Sequence, residues 1–419
     1  MDKLRIGLIG LGTVGSGVYK SLQQFDNVEI VKIAVRNITK PRCVEVPTEI
    51  LTDNPYDIVN DSNIDVVVEL MGGVEPAWDY IRTALENGKH IVTANKELLA
   101  KKGEELFNLS EEHNCVVLYE AAIAGGIPII MPIKTILAGN KIHRIQAILN
   151  GTTNYILTKM DADGASYEDV LSEAQQLGYA EADPTGDVEG FDAAYKITTL
   201  ATIAFNSRIK FENVHREGIS KIRKEDMQRA NELGYKIKLI ASATIDENNN
   251  ADVRVHPMLV PKSNMLAHIN YVTNAVSITG HPIGNIVLSG PGAGEFPTAS
   301  SVIGDILAIA REWKTTEYLL PMMRCHHHSV ANPVQIENTY NKYYLSITAP
   351  NAIGVIAKIG TICANKNISL SSILQKGVSS DNTAEITVIT EKCLEKSIRE
   401  VVSELENCTL NSLIRVLEN

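Results

Sequence analysis

Short apolar runs alternate with amphipathic stretches at the start of the chain, and the periods of the two differ. Residues 4–10 read as a strand, and helical spacing follows over about 14–24. Strands are predicted again at 29–35 and 65–70. A helix then starts at Pro76 and stops at Gly88, where proline suits a first turn and glycine an end. A strand at 90–93, a helix at 97–112 and a strand at 115–119 complete this part. Strands alternating with helices predict a parallel sheet with crossover connections, an α/β domain over residues 1–130.

The pattern then changes. A strand at 142–149 precedes helical spacing at 153–160, 167–177 and 192–205. Strand-like runs follow at 238–245, 251–260 and 275–278, with a returning helix at 300–311. This is an α+β domain over 131–320, and a cleft is expected at its boundary with the first. Residues 321–340 are polar and irregular and read as a solvated linker. His326, His327 and His328 beside Cys325 lack a spaced set of metal partners. From 341 to 419 the order is strand, helix, strand, strand, helix, strand, the split βαβ arrangement of ferredoxin-like folds.

Composition narrows the class. The net charge of −11 disfavours a nucleic-acid partner, which selects a basic face. The longest apolar stretch, 123–138, holds Pro128, Pro132 and Lys134, and no membrane span is predicted. No signal-peptide pattern opens the chain, and no two of its six cysteines have CxxC spacing, so reduced thiols and a cytoplasmic location are expected.

Two places carry chemistry. Gly10-Leu11-Gly12-Thr13-Val14-Gly15 follows a strand and opens a helix, the context a dinucleotide-binding (Rossmann) loop needs. Gly10 permits the turn, Gly12 lets backbone approach a pyrophosphate, and Gly15 allows close packing. After the second strand, where an NAD-specific domain carries an acidic residue, this chain has Arg36, with Lys40 nearby. A cation there pairs with a 2′-phosphate, so NADP is expected ahead of NAD. The second place runs from Gly178 to Lys196 and gathers Glu181, Asp183, Asp187, Glu189 and Asp192 before a helix. Asp192 and Lys196 lie four apart, on one helical face. They make either a weak surface pair or, on a cleft, an acid–base lysine beside its carboxylate. A free lysine titrates near 10.4, and desolvation or a second cation brings that down. Lys96 in Thr93-Ala94-Asn95-Lys96 is the candidate second cation.

Taken together, Gly10–Gly15, Thr93–Lys96, Asn150-Gly151-Thr152-Thr153-Asn154-Tyr155, Asp187–Asp192 with Lys196, and Gly290-Pro291-Gly292-Ala293-Gly294 resemble homoserine dehydrogenase, in order over residues 4–311. The resemblance implies nicotinamide-dependent interconversion of L-homoserine and L-aspartate 4-semialdehyde, on the route to threonine, methionine and isoleucine. It implies Lys196, Asp192 and Lys96 as the catalytic group. Glu181 and Asp187 would hold the substrate's amino end, with Asn150, Thr152 and backbone near Gly178 lining the pocket. Gly10, Gly12, Thr13, Val14, Gly15, Arg36, Thr93, Lys96 and Gly294 would contact the cofactor. It further implies a monovalent cation, sodium, held by a Glu120 carboxylate oxygen and by carbonyls of Ile123, Gly125 and Ile127.

Residues 341–419, with Pro350-Asn351-Ala352-Ile353-Gly354-Val355 at the first strand-to-helix turn, resemble the ACT family of amino-acid-sensing modules. That implies a homodimer or homotetramer and a threonine effector, or a pairing module without a ligand. The chain opens directly on the dinucleotide-binding pattern, so a monofunctional enzyme without a fused kinase is expected. Two rivals are weighed. An aspartate semialdehyde dehydrogenase needs a nucleophilic cysteine, and none lies between Cys115 and Cys325. A catalytically inactive sensor would have no use for Glu181, Asp187, Asp192 and Lys196.

Overall fold

A computed structural model describes residues 3–314, 320–325, 327 and 329–418. His326 and His328, read as part of a solvated connector, lie outside the described residues. The chain forms two compact units, and neither is one continuous stretch. The first comprises Met1–Ile145, Asp192–Glu212 and Thr273–Ala331; the second comprises Gln146–Phe191, Asn213–Val272 and Asn332–Asn419.

The first unit holds the predicted parallel sheet. Its strands are β1 (Leu4–Ile9), β2 (Val28–Ala34), β3 (Leu51–Thr52), β4 (Val66–Glu69), β5 (His90–Thr93) and β6 (Val117–Leu118). Their spatial order is β3-β2-β1-β4-β5-β6. The reversal beside β1 is where such sheets take ligands at their carboxyl ends. β4 is buried at every position, as a central parallel strand must be. Helix Glu295–Glu312 packs on helix Thr13–Leu22. Gly17 permits that approach, since a β-carbon there would lie 2.7 Å from the Glu295 carbonyl. The strands Thr273–His281 and Gly284–Pro291 form an antiparallel hairpin leading into this helix.

The stretch expected as a solvated linker is packed in part, with exposed residues such as Met322, Val330 and Asn332 between buried ones. Met323 and His327 are buried. Lys134 Nζ donates to the Met323 carbonyl at 2.6 Å, and Cys325 Sγ lies 3.0 Å from the Tyr119 hydroxyl. Arg208 N–H donates to the Ser329 carbonyl at 2.8 Å, and Ala331 N–H donates to the Arg208 carbonyl at 3.0 Å. These are long-range pairings, which a local reading of polar character does not register.

In the second unit the strands Tyr235–Ile245 and Asn250–Pro261 pair antiparallel along their whole length. The tail has the predicted β-α-β-β-α-β order: Tyr340–Pro350, Val355–Asn365, Leu370–Lys376, Thr383–Thr390, Glu395–Ser403 and Thr409–Val416. Tyr343, Leu345, Ile359, Val388 and Ile398 pack in its core. Its last strand also pairs in parallel with Asn250–Pro261, Met258 facing Arg415 and Leu259 facing Val416. One sheet thus runs through the middle segment into the tail. No described helix is long and apolar enough to cross a membrane.

Buried charge fastens this junction. Arg415 donates to Glu217 at 3.0 Å and to Glu395 at 2.7 and 2.9 Å. Asp226, with no exposed surface, accepts from Tyr344 at 3.1 Å and Ser412 at 2.6 Å. Burial alone would raise the Glu217 and Glu395 carboxyls. Arg415, aided at Glu217 by His215, outweighs it and holds both below the ordinary glutamate value of 4.5. A depressed carboxylate stabilises the fold fully above its unfolded value and progressively less as pH falls through the folded one. Arg415→Leu is therefore expected to cost about 3 kcal/mol in urea melts at neutral pH, because it removes the buried cation that Glu217 and Glu395 share and leaves them His215 and Arg399. The loss should shrink in melts taken well below pH 4.5.

Candidate active site

The glycine turn adopts the geometry that its sequence implies. Gly10 has φ 103°, and a β-carbon there would sit 3.0 Å from the Leu70 carbonyl. At Gly15 a β-carbon would collide with the Gly10 carbonyl, so only glycine lets the helix start this close to β1. Gly12 is different, since nothing lies within 4 Å of where its β-carbon would stand. Gly12 and Thr13 are exposed, with Val14 half-buried, at the start of a ten-residue helix that has no side-chain cap. Open backbone N–H groups at a helix N-terminus favour a phosphate, and no protein atom fills the space beside Gly12. One strand over, Arg36 is exposed just past β2. Arg42, which the sequence reading overlooked, donates at 2.9 Å to both the Ile38 and Lys40 carbonyls and closes the loop that Arg36 begins.

The carboxyl ends of β4 and β5 are organised by Glu69, also missed although it ends an otherwise apolar run. Its side chain is fully buried. One oxygen accepts from the N–H groups of Met71 at 2.8 Å and Gly72 at 3.2 Å, and the other from the Thr93 hydroxyl at 2.7 Å. Burial pushes this carboxyl upward, against those hydrogen bonds. The Thr93 hydroxyl in turn accepts from Asn95 N–H at 3.0 Å. Asn95 caps helix Lys96–Glu112 through Leu98 N–H and donates to the Gly73 carbonyl at 2.6 Å. Lys96, the first residue of that helix, is thereby held by a network that starts at Glu69.

Lys96 reaches Asp192 Oδ1, and Lys196 donates to Asp192 Oδ2 at 2.7 Å. Asp192 and Lys196 sit one turn apart on helix Phe191–Phe205 with side chains only 7% and 11% exposed, so theirs is no solvated surface pair. Lys96 is 43% exposed. Burial alone would raise the Asp192 carboxyl. The charges of Lys196 and then Lys96 outweigh it and hold the group well below the carboxylate range. Asp192 is thus a fixed negative charge between two ammonium groups.

The second unit carries the remaining polar residues named from the sequence. Asn150 caps helix Gly151–Asp163 through Thr153 N–H at 2.8 Å, and its amide donates to Asp187 Oδ1 at 2.7 Å. The Thr152 hydroxyl donates to the Tyr179 carbonyl at 2.6 Å, beside Gly178 with φ 75°. Glu181 is exposed, and its carbonyl accepts from Gln175 at 3.0 Å. The fold thus joins Asn150 to Asp187 and Thr152 to the Gly178 turn.

The Glu120 loop is ordered by its own backbone amides. One Glu120 carboxylate oxygen accepts from the N–H groups of Ile129 and Ile130, and the other from that of Met131 at 2.7 Å. These backbone amides orient the carboxylate and leave acceptor capacity on its second oxygen. Ile123 and Ile127 are buried on either side of Gly125. The Gly125 carbonyl accepts from Ser301 at 2.7 Å. Gly125 itself must be glycine, since a β-carbon there would collide with Gly292 in the late glycine turn. Gly294, φ 127°, opens helix Glu295–Glu312 from that turn.

A phosphate seat on the first helix and two lysines bound to one buried carboxylate are the equipment of a dinucleotide-dependent oxidoreductase. Residues 10–120 match the family model described as the homoserine dehydrogenase NAD binding domain, residues 128–307 that of homoserine dehydrogenase, and residues 343–409 that of the ACT domain. The chain belongs to the homoserine dehydrogenase family. It is 43% identical to a homoserine dehydrogenase of Synechocystis, with 99% of each chain covered. It is 40% identical to one of Neisseria gonorrhoeae, covering 97% of this chain and 96% of that one. The solved structure of a Thiobacillus denitrificans homoserine dehydrogenase matches with TM-score 0.92 at 38% identity, over 100% of this chain and 99% of that one. A hyperthermophilic archaeal homoserine dehydrogenase mutant in complex with NADPH matches at 0.64 and 28% identity, over 74% of this chain and 98% of that one. The reaction is that of the family, between L-homoserine and L-aspartate 4-semialdehyde, and no match supports an inactive sensor.

The glycines separate folding from binding. Gly12→Ala should melt as the wild type does and lose dinucleotide affinity at least about tenfold, because its methyl group meets no protein atom but enters the phosphate seat. Gly17→Ala should instead lower the melting temperature, by about 4 °C or more, as it pushes on the Glu295 backbone. Thermal melts and dinucleotide titrations of the two variants check both outcomes.

Proposed function

We propose that Lys196 is the proton-transfer group, that Asp192 orients it, and that Lys96 completes the charge balance beside the reacting carbon. The observation that carries this is the buried Asp192 carboxylate shared by both lysines. As the free amine, Lys196 takes the hydroxyl proton when homoserine is oxidised. As the ammonium it returns a proton to the oxygen when the semialdehyde is reduced. The bound nicotinamide accepts or supplies the hydride. Asp187 and Glu181 hold the substrate's ammonium, with Asn150, Thr152 and the Gly178 backbone lining the pocket. Asp187 is supported in this by Asn150, which fixes one of its oxygens.

Gly10, Gly12, Thr13, Val14 and Gly15 bind the pyrophosphate, and Thr93, Lys96 and Gly294 border the nicotinamide half. Arg36 pairs with a 2′-phosphate, which makes NADP the preferred cofactor and NAD the weaker one. The archaeal neighbour solved with NADPH supports this choice. A monovalent cation, sodium, would be held by a Glu120 carboxylate oxygen and by the carbonyls of Ile123, Gly125 and Ile127, and no step runs through it. The setting proposed is cytoplasmic synthesis of threonine, methionine and isoleucine, by a homodimer or homotetramer whose ACT domain answers to threonine.

Consumption of NADPH with aspartate semialdehyde, run beside NADH, tests the reading. Lys196→Ala should lower kcat about 10²–10⁴-fold with dinucleotide binding intact. Residual activity well above a hundredth of wild type would remove Lys196 from the proton step. Arg36→Asp should reverse the preference between NADPH and NADH, measured as kcat/KM. If it leaves that ratio unchanged, Arg36 does not read the 2′-phosphate.

A further inference from the structure

The second unit contains a cavity of about 620 Å³ that none of the assigned functions uses. Its walls come from the last strand, residues 410–415, from the turn 216–222, and from Glu189, Phe191, Pro257 and Arg399. We propose that this cavity binds a small aliphatic carboxylate, and that its occupancy modulates the reaction proposed above.

The walls are built rather than incidental. Arg216 stacks on the Phe191 ring at 3.6 Å, and Ser220 donates to Glu189 at 2.7 Å. Ile219 N–H donates to the Val188 carbonyl at 2.8 Å, and Glu217 N–H to the Val255 carbonyl at 2.8 Å. Gly218 passes so close to residues 188–189 that a β-carbon would lie 2.5 Å from the Val188 carbonyl. Arg415 is locked between Glu217 and Glu395. Little ordering cost is left for a ligand to meet.

Charge selects the ligand. The lining has four cations, Arg216, Lys221, Arg399 and Arg415, and two carboxylates, Glu189 and Glu217. Glu217 is taken by Arg415 and His215, Glu189 accepts from Ser220, and Arg399 pairs with Glu395 at 2.6 Å. Arg216 and Lys221 make no ion pair among the described residues. The surplus is positive, and it faces an anion. Phe191, Ile222, Pro257 and Leu413 supply an apolar wall, which suits an aliphatic body better than inorganic phosphate.

The route to activity is short in the chain. Glu189 and Phe191 line the cavity, and Phe191 directly precedes Asp192. A ligand that draws Arg216 away from the Phe191 ring acts on the first turn of the helix that carries Asp192 and Lys196. This site is separate from the Pro350–Val355 turn at which an ACT effector was expected.

The test uses the full-length protein and isovalerate, with inorganic phosphate and isoamylamine as controls. Calorimetry should show isovalerate binding at least about tenfold more tightly than phosphate, and no binding of the amine. Lys221→Glu, a change at an exposed side chain, should weaken isovalerate at least about tenfold while leaving the melting temperature unchanged. Arg216→Gln should do the same, and Asn351→Ala in the ACT turn should not. Isovalerate should shift the KM for homoserine in wild type and not in Lys221→Glu. Absent binding, equal binding to Lys221→Glu, or loss of binding in Asn351→Ala alone overturns the proposal. Phosphate binding as well as isovalerate overturns the carboxylate assignment. Because calorimetry does not depend on turnover, failure here is distinct from failure of the proton-transfer reading.

Discussion

Asp192 retains a negative charge almost out of contact with water, and the two lysines make that affordable. A lone buried carboxylate would take up a proton, because desolvation disfavours its charged form. With Lys196 one helical turn away and Lys96 on the second oxygen, the balance reverses and the carboxyl stays ionised. The three groups therefore stand or fall together. Removing either lysine leaves a charge that the interior tolerates poorly, and removing Asp192 leaves two ammonium groups facing each other. The first helical turns at Lys96 and at Phe191 are set by this constraint.

The same problem is solved without counter-charges at the end of β4. Glu69 lies in a fully buried position with only hydrogen-bond donors around it, and burial pushes its carboxyl upward. Its donors belong to the Met71–Gly72 turn and to Thr93, so the cost of burying it is repaid in loop order. Thr93, Asn95 and the start of helix Lys96–Glu112 follow in sequence. One buried acid fixes a turn and the other fixes two lysines, and the polarity of the partners decides which form of the acid is favoured.

Much of this was legible in the sequence because it is local. The alternation of strands and helices, the glycine turn with its flanking strand and helix, the four-residue spacing of Asp192 and Lys196, and the split βαβ order of the tail all depend on neighbours within a turn or two. What escaped depends on distance along the chain. Gly17 is required because a helix some 280 residues later lies against it. The packing of Met323, Cys325 and His327 depends on Lys134, Tyr119 and Asn206. The amides that orient the Glu120 carboxylate belong to residues 129–131, beyond the reach of a local reading. Glu69 could have been found, since an acid closing a strand of valines needs a buried partner.

The strand Asn250–Pro261 is covered along one side by three short segments rather than by one strand. His215–Arg216 meets Arg254 and Val255, Asn332–Pro333 meets Asn250 and Ala251, and the last strand meets Met258 and Leu259. Two of those three segments lie beyond residue 320, one in the tail and one in the stretch that leads to it. A chain shortened to its oxidoreductase part would leave most of that flank as bare amide and carbonyl groups, a template on which another copy can add a strand. The ACT domain and the stretch before it thus occupy a strand edge that would otherwise be open. The domain's last strand is then part of how the middle segment completes its own sheet.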